Sequence, residues 1–334
     1  MNPTMQQAVL RAPLDHVPQA GDFVLAETAR PECPEGGVLV RLSHVSMDPY
    51  VGARLRGRHM GEAAPEPMRD AIPGHGVGVV VQSRCAIPEG AHVHLMGAGW
   101  REYAPALEGE VRVIAPGALS LSVFLSALGM PGLTAWAGMT QLAKVTHGDV
   151  VLIDAAAGAV GGAAGQIARA RGASRVIGIA GGPDKCALVR ETYGFDACID
   201  YRSEGWRDAL AEAAGGGISV HLENVSSEIL TLALTHMKPY GRAVLCGLAA
   251  HYQSDAPAPG IPFGLIIGKR ASLHGLVVYD FYDRWEAFLA ECQPLVEAGR
   301  LIIAEDIADG LAEAPAVFER LMAGRNRGKA LIAL

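Results

Sequence analysis

A segment rich in glycine and alanine, Ala155–Gly165, follows the apolar run Val150–Ile153 after a single residue, Asp154. Small residues here let the backbone come close to a ligand, and the helix that follows starts with free N–H groups that favour an anion. Gly158 and Gly161 hold the second and third glycine positions of the dinucleotide fingerprint, and Ala156 stands at the first. A tightly packed helix–strand contact without a ligand is the alternative. We assign a pyrophosphate to this turn, bound by Ala156, Gly158, Ala159, Val160 and Gly161.

The end of the next strand bears on the choice between NAD and NADP. An NAD site usually carries Asp or Glu there, about 20 residues after the glycine turn. This chain has Gly181 and Gly182 at that point, followed by Lys185. Lys185, with Tyr201 and Arg202, could bind a 2′-phosphate by charge and hydrogen bonding. Asp184 leaves NAD open, and the two cations could be ordinary surface charges, but we expect NADP(H), with Gly181, Lys185 and Tyr201 at the site.

Two tyrosines could serve as hydroxyl donors in hydride chemistry. Hydride transfer needs a nicotinamide carbon held near an electrophilic carbon in a site that excludes water. Without a metal to polarise an alcohol or ketone, the reaction that fits is reduction of an activated C=C bond. Hydride then adds to the β carbon of an enone or enal, and a hydroxyl stabilises the charge on the carbonyl oxygen. Tyr50 lies in a rigid Asp-Pro-Tyr turn, and Tyr252 follows a predicted strand.

The elements that must position these residues alternate between strand and helix through the middle of the chain. Apolar strands and helical segments follow one another there, as in βαβ units with a parallel sheet. The first 120 or so residues contain short strands punctuated by Pro and Gly, as in a small β domain. The predicted strands of the middle are 149–154, 175–180, 197–200, 220–223, 242–246 and 273–278, and the predicted helices 158–171, 184–193, 206–214, 230–237 and 283–297.

Composition excludes several classes of protein. The chain has 334 residues, of which 50% are hydrophobic and 19% charged, with a net charge of −7. A large core and two domains are expected, and an acidic chain without basic clusters does not favour nucleic acid. The closest two of its six cysteines are twelve residues apart, so no Cys-x-x-Cys is present. No secretory signal is visible, and a cytoplasmic location is expected.

The uncharged stretch 115–143 is long enough to span a bilayer. Pro131, between Gly129 and Gly132, would leave backbone groups unsatisfied in lipid. We therefore predict two short buried helices with a turn between them and no membrane span.

Several motifs resemble the zinc-free medium-chain dehydrogenases/reductases, and within them the prostaglandin reductase and leukotriene hydroxydehydrogenase group of alkenal/one double-bond reductases. The resemblance runs nearly end to end. It implies an α/β fold with a Rossmann doubly wound parallel sheet, residues 124–298, inserted into a β-rich, GroES-like catalytic domain of residues 1–123 and 299–334. The motifs are 46–50, 130–135, 155–161, 181–186, 194–197 and the Gly-x-Asn-x-Gly-Lys at 324–329.

The resemblance also implies roles for single residues. Tyr252 would donate to the carbonyl oxygen, and Tyr50 would be a wall of the pocket. Asn224 and Asn326 would contact the cofactor. Cys246 and Gly247 would run along the nicotinamide with their backbone. The chain departs from the family pattern at the pocket, where Val51-Gly52, Ser226-Ser227, Ala250-His251, Gln253 and Arg327 stand, so the preferred enone stays open.

His75 lies where zinc-dependent relatives carry a Gly-His-Glu motif. Gly76 replaces the Glu, Ser46 or Met47 falls at the upstream Cys, and a catalytic zinc needs three protein ligands. We therefore predict no metal and interpret His75 as a packed or loop-capping residue.

The resemblance implies an NADP-dependent oxidoreductase acting on small α,β-unsaturated ketones or aldehydes. A quinone reductase of the same superfamily, a zinc alcohol dehydrogenase and a non-catalytic NADPH-binding protein remain alternatives. The predicted strand 273–278 would end the sheet, and an exposed apolar edge strand favours association. A homodimer is therefore expected, with no nucleic acid or membrane as partner.

Overall fold

The computed structural model describes residues 3–251 and 259–334. The chain divides into two compact units, one with the residues up to Leu125 and Glu305–Leu334, the other with Ser126–Ala304. The strands are β1 (Thr4–Leu10), β2 (Phe23–Ala29), β3 (Gly37–Ser46), β4 (Gly76–Ser83), β5 (His92–Leu95), β6 (Tyr103–Leu107), β7 (Val111–Val113), β8 (Val150–Ile153), β9 (Arg175–Ala180), β10 (Ala197–Asp200), β11 (Ile218–Glu223), β12 (Met237–Leu245), β13 (Ser272–Gly275), β14 (Glu305–Asp309) and β15 (Lys329–Ala333).

Short 3-10 and π-helical segments lie between several of these strands and the α-helices. The helices are α1 (Tyr50–Arg54), α2 (Met130–Trp136), α3 (Ala159–Ala170), α4 (Pro183–Ala187), α5 (Trp206–Ala214), α6 (Ser227–Thr235), α7 (Phe263–Lys269), α8 (Trp285–Glu297) and α9 (Ala314–Met322). No helix among the described residues is both long and apolar enough to cross a membrane.

The unit that contains both chain ends is built on a sheet of seven strands. Its order is β14-β15-β3-β4-β5-β7, with β6 paired to β3, and β1 and β2 form a separate antiparallel pair. The long strand β3 therefore joins residues from both ends of the chain, since β15 pairs with it directly. Three aromatic side chains, Phe23, Trp100 and Phe318, meet in its core with ring centroids 5.2–6.1 Å apart.

The other unit contains a parallel sheet of six strands, ordered β10-β9-β8-β11-β12-β13. Counted from β8 this order is 3-2-1-4-5-6, which is the doubly wound arrangement that the sequence predicts. Strands of such a sheet are covered on both faces, and Val151, Leu152 and Ile153 of β8 are accordingly inaccessible to solvent. The strand order reverses between β8 and β11, and ligands of this fold bind beyond the carboxyl ends of the strands at that point.

The first difference from the predicted elements is the start of β12. The strand begins at Met237, which the sequence pattern assigned to the preceding helix, and α6 ends at Thr235. Met237 pairs with Ile218, and a register shift follows before Arg242. The residues at this irregularity are Lys238–Gly241, and they include Pro and Gly. Because this composition is typical of a turn, the sequence did not predict that the strand extends through them.

Three other predictions differ at their boundaries. The predicted strand 273–278 is the shorter β13, because pairing with β12 stops where Leu245 meets Gly275. The helix predicted from Asp283 begins at Trp285, after a 3-10 segment at Val278–Arg284. The helix predicted over 184–193 is α4 followed by a π-helical turn at Leu188–Thr192.

The uncharged stretch 115–143 forms short helical pieces. Leu121–Leu125 is a 3-10 segment at the end of the first unit. In the second unit, α2 has Pro131 in its first turn and continues as a π-helical segment at Ala137–Leu142.

Candidate functional site

The turn between β8 and α3 brings a helix start close to the end of a strand. Gly158 precedes α3 in an extended conformation, and the first N–H groups of a helix have no acceptor within it. A Cβ on Gly161 would lie 2.5 Å from the carbonyl oxygen of Ala155. Only glycine therefore permits this close approach. The N–H groups of Ala159, Val160 and Gly161 belong to the first turn of α3, where an anion binds well.

Ala156 lies beneath this turn and is fully buried. Its N–H donates to the carbonyl of Ile179 at 3.0 Å. A Cβ on Gly178 would lie 2.8 Å from that of Ala156, so the turn after β8 and strand β9 meet through small residues. The structure thus gives Ala156 a packing role, and its contact with a cofactor stays a prediction.

Gly181 and Gly182 follow the end of β9 and form a second tight turn. A Cβ on Gly181 would lie 2.8 Å from the ring of Tyr201 and 3.0 Å from Nε of Arg202. The carboxylate at this turn comes from β10: Oδ1 of Asp200 accepts the N–H groups of Gly182 at 2.8 Å and Arg202 at 3.0 Å. Asp200 therefore holds the turn. Sequence reasoning missed it, although an acid at the end of the third strand was visible.

Lys185, Tyr201 and Arg202 surround the Gly181 turn, as the sequence predicts. Partial burial and the positive charge of Arg202 lower the pKa of Lys185. The Arg202 guanidinium lies 5.7 Å from the centre of the Tyr201 ring, and both residues are exposed. Two cations and a phenol thus stand where an NAD site would carry an acid. This donor set fits an exposed dianion such as a 2′-phosphate.

Asn224 lies just beyond β11 and is tied to the residue that follows β8. Its backbone N–H and its side-chain amide donate to Oδ1 of Asp154 at 2.7 and 3.0 Å. The side chain also donates to the carbonyl of Asp154 at 3.3 Å. These bonds fix the amide at the carboxyl ends of the two strands where the order reverses. The side chain of Asn224 is therefore fixed in position, and its contact with a cofactor stays a prediction.

A buried acid and a buried histidine complete this cluster. Oε1 of Glu223 accepts the backbone N–H groups of Val225 and Ser226, both at 2.6 Å. Nε2 of His221 lies 3.1 Å from Oε2 of Glu223, and its Nδ1 lies 3.2 Å from the carbonyl oxygen of Leu152. Neither Asp154 nor His221 was recognised from the sequence, because nothing in the sequence shows that a polar residue within or just after a strand is buried.

Asp154, His221 and Glu223 each place one ligand atom within 4.8 Å of the others, as the ligands of one cation would. Burial and then the negative charge of Glu223 raise the pKa of Asp154 well above its usual value. Burial also acts against ionisation of Glu223, but the hydrogen bond and charge of His221 outweigh it and lower the pKa of Glu223. Within this cluster a proton is therefore held more tightly by Asp154 than by Glu223.

Cys246 and Gly247 follow β12 next to this cluster. Both N–H groups donate to the carbonyl of Glu223, at 2.8 and 3.2 Å. Burial and the nearby Asp154 raise the pKa of the Cys246 thiol to about 12. The thiol is therefore protonated at neutral pH and is a poor nucleophile.

Of the two predicted catalytic tyrosines, the structure places one. Tyr50 is the first residue of α1, in the unit that contains both chain ends. Its ring centroid lies 4.9 Å from that of His59, whose pKa is lowered by burial. Tyr252 lies outside the described residues. Their catalytic roles stay predictions.

A buried ion pair lies beside Ser46 and Met47, the positions compared above with the upstream Cys of zinc-dependent relatives. Nζ of Lys329 donates to Oδ1 of Asp48 at 2.5 Å and to the carbonyl of Met47 at 2.8 Å, and the Ser46 hydroxyl donates to the other oxygen of Asp48. Burial raises the pKa of Asp48, but the charges of Lys329 and then His75 outweigh it, and the net shift is downward. Lys329 and Asp48 are only 3% exposed.

His75 is buried beside His94, with 3.2 Å between Nδ1 of His75 and Nε2 of His94. Burial lowers the pKa of His75 to about 4, so the ring is neutral at ordinary pH. The metal-like cluster found among the described residues does not include His75. Asn326, near the chain end, donates from Nδ2 to the carbonyl of Gly328 at 2.7 Å and so stabilises its own turn. Its contact with a cofactor stays a prediction.

Comparison with known proteins identifies two matching family models. Residues 6–114 match the N-terminal domain of oxidoreductase, and residues 159–293 match the zinc-binding dehydrogenase family. Prostaglandin reductase 1 of Bos taurus is 35% identical and covers 94% of both chains. The NADP(+)-dependent 2-alkenal reductase of Nicotiana tabacum is 31% identical over 98% of this chain and 96% of its own.

A solved structure resembles the chain over nearly its whole length. CurA from Vibrio vulnificus, crystallised in complex with NADPH, has a TM-score of 0.89 at 30% identity and covers 98% of both chains. The curated NADPH-dependent curcumin reductase of Escherichia coli (strain K12) is 32% identical over 89% of this chain and 88% of its own. The α/β class with a Rossmann sheet and a GroES-like domain, predicted from the sequence, is thereby confirmed.

Proposed function

Because the chain belongs to the zinc-free branch of the medium-chain dehydrogenase/reductase superfamily that contains the alkenal/one double-bond reductases, we propose that it reduces the C=C bond of small α,β-unsaturated ketones and aldehydes. It is an NADP-dependent oxidoreductase, as are the reductases that match it over most of its length. The choice of the enone and the position of hydride addition are the parts that we propose.

The observation that carries the cofactor assignment is the turn at Gly181. Tyr201 and Arg202 lie so close to this glycine that a Cβ would meet both. Lys185 and Arg202 are close enough for the charge of Arg202 to lower the pKa of Lys185. A 2′-phosphate between them would offset this repulsion, whereas the plain ribose of NADH would not.

The other protein groups would position the remainder of the cofactor. The first-turn N–H groups of α3, from Ala159 to Gly161, would bind the pyrophosphate. Asn224, fixed by Asp154, would donate to or accept from the ribose or nicotinamide, and the backbone of Cys246 and Gly247 would line the same side. When bound, the reduced nicotinamide supplies a hydride.

Reduction of an enone places negative charge on its carbonyl oxygen when hydride reaches the β carbon. A hydroxyl at hydrogen-bond distance stabilises this enolate, and a proton then arrives at the α carbon. We assign the hydroxyl to Tyr252 and a wall of the pocket to Tyr50. The proposed reaction gives no role to a metal. His75 contacts His94, and Asp48 is paired with Lys329, so these residues already have protein partners.

The test is NADPH oxidation with a panel of enones, enals and quinones. We expect turnover of at least one enone or enal, and a lower rate for Tyr252→Phe with unchanged NADPH affinity. Tyr50→Phe, as the matched variant, should change the KM for the enone more than kcat. Tight NADPH binding with turnover of quinones alone would favour the quinone reductase, and no turnover at all would refute an enzyme of this kind.

We also propose a cytoplasmic homodimer with no nucleic acid or membrane as partner. β13 pairs only with β12 among the described strands, so it lies at the edge of the sheet, where a second copy could add. The six cysteines are free thiols, which suits a reducing compartment. Light scattering after size exclusion tests the assembly, and a monomer at micromolar concentration would refute it.

A further inference from the structure

Two of the cysteines lie in direct contact beside the Gly181 turn. The thiol of Cys198 donates to the sulfur of Cys186 at a distance of 3.2 Å. Cys186 belongs to α4 and is buried, whereas Cys198 belongs to β10 and is partly exposed. Neither thiol has a part in the reaction proposed above.

The backbone holds the two sulfurs at this distance. Cys198 is paired in register with Gly178 of β9, and the N–H of Cys186 donates to the carbonyl of Gly182 at 3.1 Å. Asp200, at the end of β10, accepts the N–H of Gly182 and so joins both elements. A disulfide bond has a length of about 2.05 Å, so the sulfurs need to approach by about 1.1 Å.

The two cysteines also flank the residues assigned to the 2′-phosphate. Lys185 immediately precedes Cys186, and Tyr201 lies three residues beyond Cys198. A covalent bond between the sulfurs would therefore connect the helix that carries Lys185 to the strand that leads to Tyr201 and Arg202. Lys185 could then no longer move freely relative to Tyr201 and Arg202 when the phosphate binds.

We propose that Cys186 and Cys198 form a reversible disulfide under oxidation and that this bond weakens the binding of NADPH. The first half rests on the geometry of the two thiols alone. The second half rests on the proposed function, since it takes Lys185, Tyr201 and Arg202 as the phosphate-binding residues.

The oxidant that we propose is a peroxide, and the step balances with hydrogen peroxide. One of the two sulfurs, as the thiolate, attacks one oxygen, the O–O bond breaks, and a sulfenic acid forms while the other oxygen leaves as hydroxide and takes up a proton. The second sulfur, after losing its proton, attacks the sulfur of the sulfenic acid, and the S–O bond breaks with release of water. Two thiols and one peroxide thus give one disulfide and two waters, and two electrons pass from sulfur to oxygen.

The surroundings of the two thiols make this oxidation slow at neutral pH. Burial raises the pKa of both thiols; the negative charge of Asp200 acts in the same direction, and the positive charge of Arg190 opposes it. The thiolate is the reactive form, so the rate of disulfide formation should rise between pH 7 and pH 9.

The experiment measures the bond and its effect separately. The full-length protein is treated with hydrogen peroxide at pH 8.5, the remaining thiols are alkylated, and peptides are mapped by mass spectrometry. We expect a cross-linked peptide that contains Cys186 and Cys198, the loss of two free thiols, and full recovery with dithiothreitol. Cys198→Ala should form no such link, whereas Cys33→Ala and Cys292→Ala should form it as the wild type does.

The same samples give the effect on the cofactor. We expect the KM for NADPH to rise by about three- to tenfold in the oxidised wild type, with little change for NADH, because a displacement of about 1 Å weakens a positioned contact. Oxidised Cys198→Ala should keep its KM. Absence of the cross-link in a protein that turns over NADPH normally would overturn this proposal and leave the proposed function intact. Formation of the link with an unchanged KM would overturn its effect on the cofactor. Formation of the link in a protein without activity would refute the proposed function and with it the effect on NADPH, while the disulfide itself would stand.

Discussion

The side chain and the backbone N–H of Asn224 both donate to one carboxylate oxygen of Asp154, across the two strands where the sheet order reverses. Asp154 is fully buried, and its carboxyl group also interacts with that of Glu223. Asn224 is the residue through which this interior cluster would act on a bound cofactor. Asp154 is therefore a positioning residue in this account.

Replacing Asp154 by alanine should destabilise the protein and weaken NADPH binding. The change leaves the Asn224 donors without their acceptor, which costs about 1–3 kcal/mol for buried groups. Asp154→Asn keeps a carbonyl oxygen at the same place and should stay within about 1 kcal/mol of the wild type. Urea denaturation and fluorescence titration with NADPH measure both quantities. Equal losses in the two variants would contradict the role given to the Oδ1 acceptor.

The stability of the wild type relative to Asp154→Asn should depend on pH. The pKa of Asp154 in the folded state is raised above its unfolded value of about 3.9. Between these two pKa values the folded chain therefore binds more protons than the unfolded chain. The contribution of Asp154 to stability is complete below the unfolded pKa and is lost as pH rises through the folded pKa.

Asp154→Asn has no titratable group at this position. Its free energy of unfolding should therefore rise relative to that of the wild type as pH rises from about 4. Denaturation at a series of pH values checks this, with Asp208→Asn on the exposed face of α5 as the control. A difference between Asp154→Asn and the wild type that is constant across this range would contradict a raised pKa of Asp154 in the folded state.

Removal of either cation at the Gly181 turn should reduce the preference for NADPH. Hydrogen bonds to charged groups contribute about 1.5–3 kcal/mol, so Lys185→Ala and Arg202→Ala should each lower kcat/KM for NADPH by roughly tenfold or more. The values for NADH should hardly change. Arg190→Ala, an exposed cation on the neighbouring turn, is the matched control. Equal losses with NADPH and NADH would show that these residues do not bind the 2′-phosphate.

Breaking the buried ion pair of the other unit should destabilise the fold strongly. Lys329→Met leaves the buried Asp48 carboxylate without its cation, which costs about 3–5 kcal/mol. The double variant Asp48→Asn with Lys329→Met removes the charge as well and should recover a large part of this loss. Both are measured by urea denaturation. A double variant less stable than the single one would contradict this account.

Much of the fold follows from the sequence because its determinants are local. Val150–Ile153 and Arg175–Ala180 are apolar runs bounded by turn residues, and a strand covered on both faces has this composition. The start of β12 was not predictable, since Lys238–Gly241 has the composition of a turn and only pairing of Met237 with Ile218 makes it part of a strand. The predicted domain boundaries, after 123 and after 298, stay predictions, while the compact units divide after Leu125 and after Ala304.

Those parts of the candidate site that depend only on the type of a residue and on its place after a strand could be predicted from the sequence. Gly161, Gly181 and Lys185 could be assigned from their place after β8 and β9. The cluster of Asp154, His221 and Glu223 could not, because it forms only when the sheet places the residue after β8 beside two residues of β11. The contact between Cys186 and Cys198 was hidden in the same way, since twelve residues separate them in sequence.

Hydride addition to the β carbon is tested with NADPH in which both hydrogens at C4 of the nicotinamide are deuterium, together with a small enone and the wild-type protein. We expect a saturated ketone in which NMR finds the deuterium on the β carbon. An allylic alcohol with deuterium on the former carbonyl carbon, or NADPH bound without consumption of any enone or enal, would contradict it.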